Sequence, residues 1–235
     1  MAKIFSVVSR AALARIIEPV ARTLLRAGVS PDAVTVAGTV GVLVGALGFA
    51  TRGHLLIALV IVTISALTDL IDGTMARIRG VTSRWGALLD SSMDRVADAA
   101  IFGSLVYWLG VTGQQASAVA ALLCLVLGQL VSYVKARAEG LGFTANVGIA
   151  ERPERLILIG VGGLLYSLHV PYALEVVLWL LAALSLVTVA QRMAHVYRQD
   201  RAAQAAQAAE ARGAARAADA AAGDRAADPA AERRR

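Results

Sequence analysis

Residues 69–94 read DLIDGTMARIRGVTSRWGALLDSSMD and carry four carboxylates in two closely spaced pairs, Asp69 with Asp72 and Asp90 with Asp94. The flanks are strongly apolar: HLLIALVIVTISAL runs up to the first pair, and the second leads into IFGSLVYWLG. Carboxylates at the edge of such segments are costly, so they mark function rather than decoration. Spacings of three and four residues put the members of each pair on one helix face, roughly 5–6 Å apart. Two such faces turned toward each other form an oxygen-lined cage. Oxygens of that charge suit a hard divalent cation such as Mg²⁺ or Mn²⁺, or two of them clamping a diphosphate.

Composition agrees with the environment those flanks imply. The chain is 57% hydrophobic and only 17% charged over its 235 residues, an excess no soluble domain of this size needs. Apolar windows of about 20 residues, long enough to cross a bilayer, recur up to position 197. Six are predicted: Pro31 to Ala50, His54 to Ile78, Trp85 to Gly110, Gln115 to Ala138, Leu156 to Leu168 with its flanks, and Pro171 to His195. The fold class expected is an all-α integral membrane protein with six transmembrane helices, preceded by an N-terminal amphipathic interfacial helix.

Basic residues test that count independently, because they stay on the cytoplasmic side. Lys3, Arg10, Arg15, Arg22 and Arg26 precede the first span; Arg77, Arg79 and Arg84 lie between the second and third; Lys135, Arg137, Arg152 and Arg155 between the fourth and fifth; Arg192 and Arg198 close the sixth. The alternate turns hold only Arg52. Both termini and the acid cluster are therefore predicted at the cytoplasmic face of a multi-pass cell-membrane protein. The net charge of +6 is a topology signal and not a nucleic-acid footprint.

Three regions follow. Residues 1–28 space Ile4, Phe5, Val8, Leu13, Ile16, Ile17, Val20, Leu24 and Leu25 into an apolar stripe opposite basic residues, a juxtamembrane segment drawn to anionic membrane lipids. A signal peptide would instead show a continuous apolar run and a small-residue cleavage site. Ser30 and Pro31 read as an N-cap and first helical residue, opening a six-helix domain over 29–198. From 199 to 235 the chain turns to Ala, Arg, Gln and Asp with no apolar face, and is expected as a frayed helix or disordered cytoplasmic tail. Cys124, the single cysteine, falls inside the fourth span as a small packing residue.

The motif in full is Asp69, two residues, Asp72, Gly73, two residues, Ala76, Arg77, eight residues, Gly86, three residues, Asp90, three residues, Asp94. It resembles the signature of the CDP-alcohol phosphotransferase family at every fixed position, and the likeness extends across about residues 1–197. Each position also has a physical use: Gly73 and Gly86 let a nucleotide approach the backbone, Ala76 lets helices pack closely, and Arg77 offers phosphate a planar donor fork. The resemblance implies Asp69, Asp72, Asp90 and Asp94 as ligands of two Mg²⁺ ions, with Mn²⁺ as an alternative, and Asp94 also as the base that deprotonates the attacking hydroxyl. It implies that Asp32, Ala33, Val34, Thr35, Gly73, Arg77 and Ser83 contact CDP-diacylglycerol. It also implies a homodimer, for which Gly38, Gly41, Gly45 and Gly48 would permit close helix contact within or between chains. Family members commonly carry Asn where Asp32 stands. Asp98, one turn past Asp94, lies outside the motif and is expected in a buried hydrogen-bonding or arginine-pairing role.

The implied reaction is displacement at the phosphorus attached to diacylglycerol, with CMP leaving. The stretch SYVKARAEGLGFTANVGIAERPERLI, 132–157, brings Lys135, Arg152 and Arg155 to the acid cluster's side, where Arg192 also ends its span. A neutral alcohol would not call for so many cations, whereas a phosphorylated one would. The stretch is similar to the acceptor region of the family's members that use inositol phosphate, which implies inositol phosphate as the acceptor, held by Lys135, Arg152, Arg155 and Arg192. The competing readings are glycerol phosphate as acceptor, an intramembrane prenyltransferase with Asp pairs, and a cation transporter. Fixed glycines and Arg77 argue against the second. The transporter would need acids near mid-membrane with access from both sides.

Overall fold

A computed structural model describes residues 17–80 and 83–227. No strand occurs among them; every element is helical. The first, α1, spans 17–26 and packs Ala21, Leu24 and Leu25 against Val34, Ile71 and Met75, so part of the predicted interfacial stripe faces protein. The rest of that predicted helix, 1–16, lies outside the described residues. Gly28, in the left-handed region at φ +80°, ends α1 with Val29 N–H donating to the Leu24 carbonyl, a close that favours glycine.

Helix α2 spans Pro31–Leu43, with Ser30 as the N-cap whose hydroxyl accepts from Ala33 N–H at 3.2 Å, as its sequence predicts. It continues through a π-helical turn, Val44–Phe49, and a 3₁₀ turn, Ala50–Arg52. The segment predicted as one span from His54 is two helices, α3 (Leu55–Ala66) and α4 (Thr68–Arg79), parted at Leu67. There the Thr68 hydroxyl donates to the Ser65 carbonyl at 2.5 Å, taking an acceptor from the regular helix ladder. Gly80, at φ +66°, stops α4 with its N–H on the Arg77 carbonyl and lets the chain turn back. Ser83 then caps α5 (Arg84–Val111), accepting from Gly86 N–H at 2.8 Å. The remaining helices are α6 (Gln115–Gly140), α7 (Arg152–Ser167) and α8 (Ala173–Ala227), so the tail continues α8 as far as Ala227.

The core lies between α3, α5, α6, α7 and α8, where Phe102, Leu105 and Leu109 meet Ala120, Ala121, Leu178 and Leu181. Cys124 is buried in it with its thiol 3.1 Å from the Leu178 carbonyl. Close packing elsewhere uses small residues, the usual device where lipid supplies no hydrophobic drive between helices. A Cβ on Gly41 would strike the Ser65 hydroxyl, and one on Gly45 would come within 3.0 Å of Ile61 Cγ2. The glycine stripe at Gly38, Gly41 and Gly45 thus seats α2 and the turn after it on α3 and α4 within one chain, while a Cβ on Gly48 would meet nothing within 4 Å.

Among the described residues, four helical stretches are long and apolar enough to cross a membrane: Pro31–Arg52, Leu55–Arg79, Gln115–Gly140 and Ala173–Gly213. These correspond to predicted spans one, two, four and six. Helix α5 has the length, 28 residues, but carries Asp90, Asp94, Arg95 and Asp98 within its first fifteen residues, and α7 has only 16 residues.

Candidate active site

Helices α4 and α5 bring the two acid pairs together through a single cation. Arg152, the first residue of α7, places Nη1 3.0 Å from Asp69 Oδ2 and 2.7 Å from Asp94 Oδ1. One guanidinium nitrogen therefore lies between a carboxylate of α4 and a carboxylate of α5. Asp72, one turn along α4 from Asp69, is buried and accepts from the Thr35 hydroxyl of α2 at 2.5 Å. Asp90 is exposed, one turn before Asp94. Arg95 completes the cluster, its Nη2 3.8 Å from Asp94 Oδ2.

A second layer backs the first. Asp98, four residues beyond Asp94, accepts from Arg155 Nη2 at 2.6 Å and lies 3.5 Å from Arg152 Nε. Asp98 takes the arginine-pairing role, one of the two expected of it, and Arg155 is fully buried. Helix α6 leaves room for this pair at Gly128, where a Cβ would sit 3.3 Å from Arg155 Nε. Arg192 is buried too: Nε donates to the Val147 carbonyl at 2.8 Å, Nη1 to the Val131 carbonyl at 2.6 Å and Nη2 to Glu151 at 3.0 Å. Together with Thr188, which accepts from Ile149 and Ala150 N–H, and Gln199, which grips Thr144, it straps the 141–151 connection onto α8. That strap fixes where α7, and so Arg152, begins. Lys135 is half-buried, 4.0 Å from Glu139. Of the four cations assigned to an acceptor phosphate, Arg152 reaches the acids, Lys135 keeps solvent access, and Arg155 and Arg192 are committed to protein partners.

The residues assigned to the nucleotide lipid form a looser group. A Cβ at Gly73 would meet nothing within 4 Å, which leaves open space beside Asp72. At Gly86 it would approach Ser83 Oγ at 3.0 Å and Asp32 Oδ1 at 3.6 Å, so Asp32, Ser83 and the start of α5 are neighbours. Arg77 is exposed and, among the described residues, bonded only to Thr74 of its own helix, at 3.0 Å. Ala33 is exposed, whereas Val34 packs toward α1. Thr35 turns to Asp72, a tertiary contact that no local pattern announced. From Asp69 and Arg152 an apolar cavity of about 750 Å³ extends between α3, α5 and α7 past Leu59, Val62 and Ile159 to Leu174.

A hard divalent cation fits this donor set. The groups on offer are carboxylate oxygens, the preferred ligands of Mg²⁺ and Mn²⁺, and Asp69 and Asp94 already share one positive centre. As they stand, no three acidic, His or Cys side chains among the described residues are close enough to enclose an ion. The shared position is taken by Arg152 instead.

This chain belongs to the CDP-alcohol phosphatidyltransferase family, whose model matches residues 28–191. Within that class it is 45% identical over 210 residues to the phosphatidylinositol phosphate synthase of Streptomyces avermitilis, with 86% of each chain covered. It is 46% identical over 187 residues to that of Mycobacteroides abscessus, covering 79% of this chain and 85% of the other. The crystal structure of Mycobacterium tuberculosis phosphatidylinositol phosphate synthase with CDP-DAG bound has a TM-score of 0.75 at 42% identity, covering 78% of this chain and 94% of that one. The same enzyme in complex with manganese and citrate gives 0.75 at 41%, covering 77% and 88%.

Proposed function

We propose that this protein transfers the phosphatidyl group of CDP-diacylglycerol to a hydroxyl of inositol phosphate and releases CMP. The observation that carries the reading is the convergence of Asp69 and Asp94 on one shared cation at the foot of a largely apolar cavity. Divalent ions held by Asp69, Asp72, Asp90 and Asp94, two Mg²⁺ in this reading, would neutralise the pyrophosphate and the charge growing on the leaving oxygen. Asp94 accepts the proton of the attacking hydroxyl once Arg152 has withdrawn from it. The acceptor oxygen forms its bond to the diacylglycerol-linked phosphorus as the bond from that phosphorus to CMP breaks. Thr35 keeps the Asp72 carboxylate oriented, and open space at Gly73 admits the nucleotide. Lys135, Arg152, Arg155 and Arg192 form the basic site for the acceptor's phosphate, with Lys135 and Arg152 the members that solvent reaches.

All six predicted spans over 29–198, α3 and α4 together making the second, cross the cell membrane in this reading. The charges of α5 are matched by Arg95, Arg152 and Arg155 inside the protein, which lowers their cost in a bilayer. Both termini and the acid cluster face the cytoplasm, and the enzyme is a homodimer. The test is acceptor competition: purified protein with CDP-diacylglycerol and Mg²⁺ is offered inositol phosphate, glycerol phosphate, inositol and serine together. Inositol phosphate lipid should dominate with stoichiometric CMP. Glycerol phosphate lipid as the main product would move the protein to the neighbouring activity of the same family.

A further inference from the structure

Asp98 lies outside the acid cage and is 3% exposed. Its two oxygens are divided between two arginines of α7, Oδ2 receiving Arg155 Nη2 at 2.6 Å and Oδ1 facing Arg152 Nε at 3.5 Å. Acids four apart on α5 thus face arginines three apart on α7: Asp94 with Arg152 and Asp98 with Arg155. Arg155 is an expensive partner, since its Nε and Nη1 are buried without an acceptor among the described residues. A buried ion pair with unmatched donors is poor value for stability, so its retention points to a task. The task visible here is orientation. Arg155 fixes the Asp98 carboxylate, and Asp98 grips Arg152 through Nε, the nitrogen that leaves the guanidinium fork free. Arg152 could then exchange Asp69 and Asp94 for a phosphate without losing its anchor.

We propose that Asp98, held by Arg155, is a positioning residue that aims Arg152 at the acceptor's phosphate, and that Asp98 itself does not touch substrate. The proposal rests on the acceptor being a phosphorylated alcohol. Two variants test it, both leaving Arg155 in place: Asp98→Glu, which keeps the charge but shifts the carboxylate by one methylene, and Asp98→Asn, which keeps the shape but removes the charge. Each is measured in the wild-type background and with Arg152→Gln, using inositol phosphate and CDP-diacylglycerol as the varied substrates.

The expected result is a rise of at least about tenfold in KM for inositol phosphate, with kcat and the KM for CDP-diacylglycerol changing less than about twofold. With Arg152→Gln already present, either change should shift the acceptor KM less than about twofold further, because residues acting through one another are not additive. An unchanged acceptor KM in whichever variant folds would overturn the proposal. So would effects that multiply with those of Arg152→Gln, or a loss of kcat alongside both KM values. Wild-type protein that prefers an unphosphorylated alcohol would instead sink the acceptor reading itself.

Discussion

Thr35 and Asp94 carry the sharpest consequences among single side chains. Thr35→Val removes the hydroxyl that donates to Asp72 at 2.5 Å, leaving a buried carboxylate without that bond. Partners behind metal-binding carboxylates typically contribute 10- to 100-fold in metal affinity, so the Mg²⁺ concentration for half-maximal activity should rise about tenfold while the thermal midpoint moves little. An unchanged Mg²⁺ dependence would show that Asp72 needs no such support. Asp94→Asn keeps the side-chain shape but cannot take a proton, and turnover should fall by about 10³-fold or more with CDP-diacylglycerol still bound; measurable residual turnover near wild type would remove Asp94 from the base role. The aspartates were legible because their spacing is local. Thr35 on Asp72 and Arg152 on Asp69 were not, since these contacts join residues 37 and 83 positions apart. A buried hydrogen-bonding or arginine-pairing role for Asp98 was readable from its place one turn past Asp94; which of the two, and its sharing between two arginines, was not.

Helices α2, α3 and α4 meet along glycines, and this contact sets the distance from Thr35 to Asp72. A Cβ at Gly38 would strike the Thr68 hydroxyl and come within 3.1 Å of the Ser65 carbonyl, both at the α3–α4 break. Gly38→Val should therefore cost about 1–3 kcal/mol of stability by overpacking, read as a lower thermal midpoint in detergent. Gly48→Ala, where the added Cβ would meet nothing within 4 Å, should stay within about 0.5 kcal/mol. Equal effects at the two positions would deny the packing role of the stripe. Apolar windows made the helices legible in the sequence, but not the break at Leu67 nor the π-turn at Val44–Phe49. Both depend on backbone hydrogen bonding that hydropathy does not encode. The predicted third and fifth spans are helices, yet α5 carries its site charges and α7 is short, so hydropathy alone singles out only the other four.

The proposed orientation in the membrane rests on the alternation of basic connections, which would put the 141–151 strap and the acid cluster on one side. Cys124 is buried and should be silent to a membrane-impermeant maleimide, so introduced cysteines report topology. On intact cells Thr112→Cys, in the turn after α5, should label, and Leu141→Cys, after α6, should label only once cells are opened; the reverse pattern would invert the protein. Chelation should abolish turnover, and added Mg²⁺ or Mn²⁺ should restore it. All of this depends on α4 and α5 enclosing divalent ions between them. Anomalous X-ray diffraction from crystals grown with Mn²⁺ and CDP-diacylglycerol tests that most directly. The expected map has manganese peaks at ligand distance from Asp69, Asp72, Asp90 and Asp94, with Arg152 Nη1 displaced from Asp69 and Asp94. Manganese absent from the space between α4 and α5, with Arg152 still bridging the two carboxylates, would contradict the account.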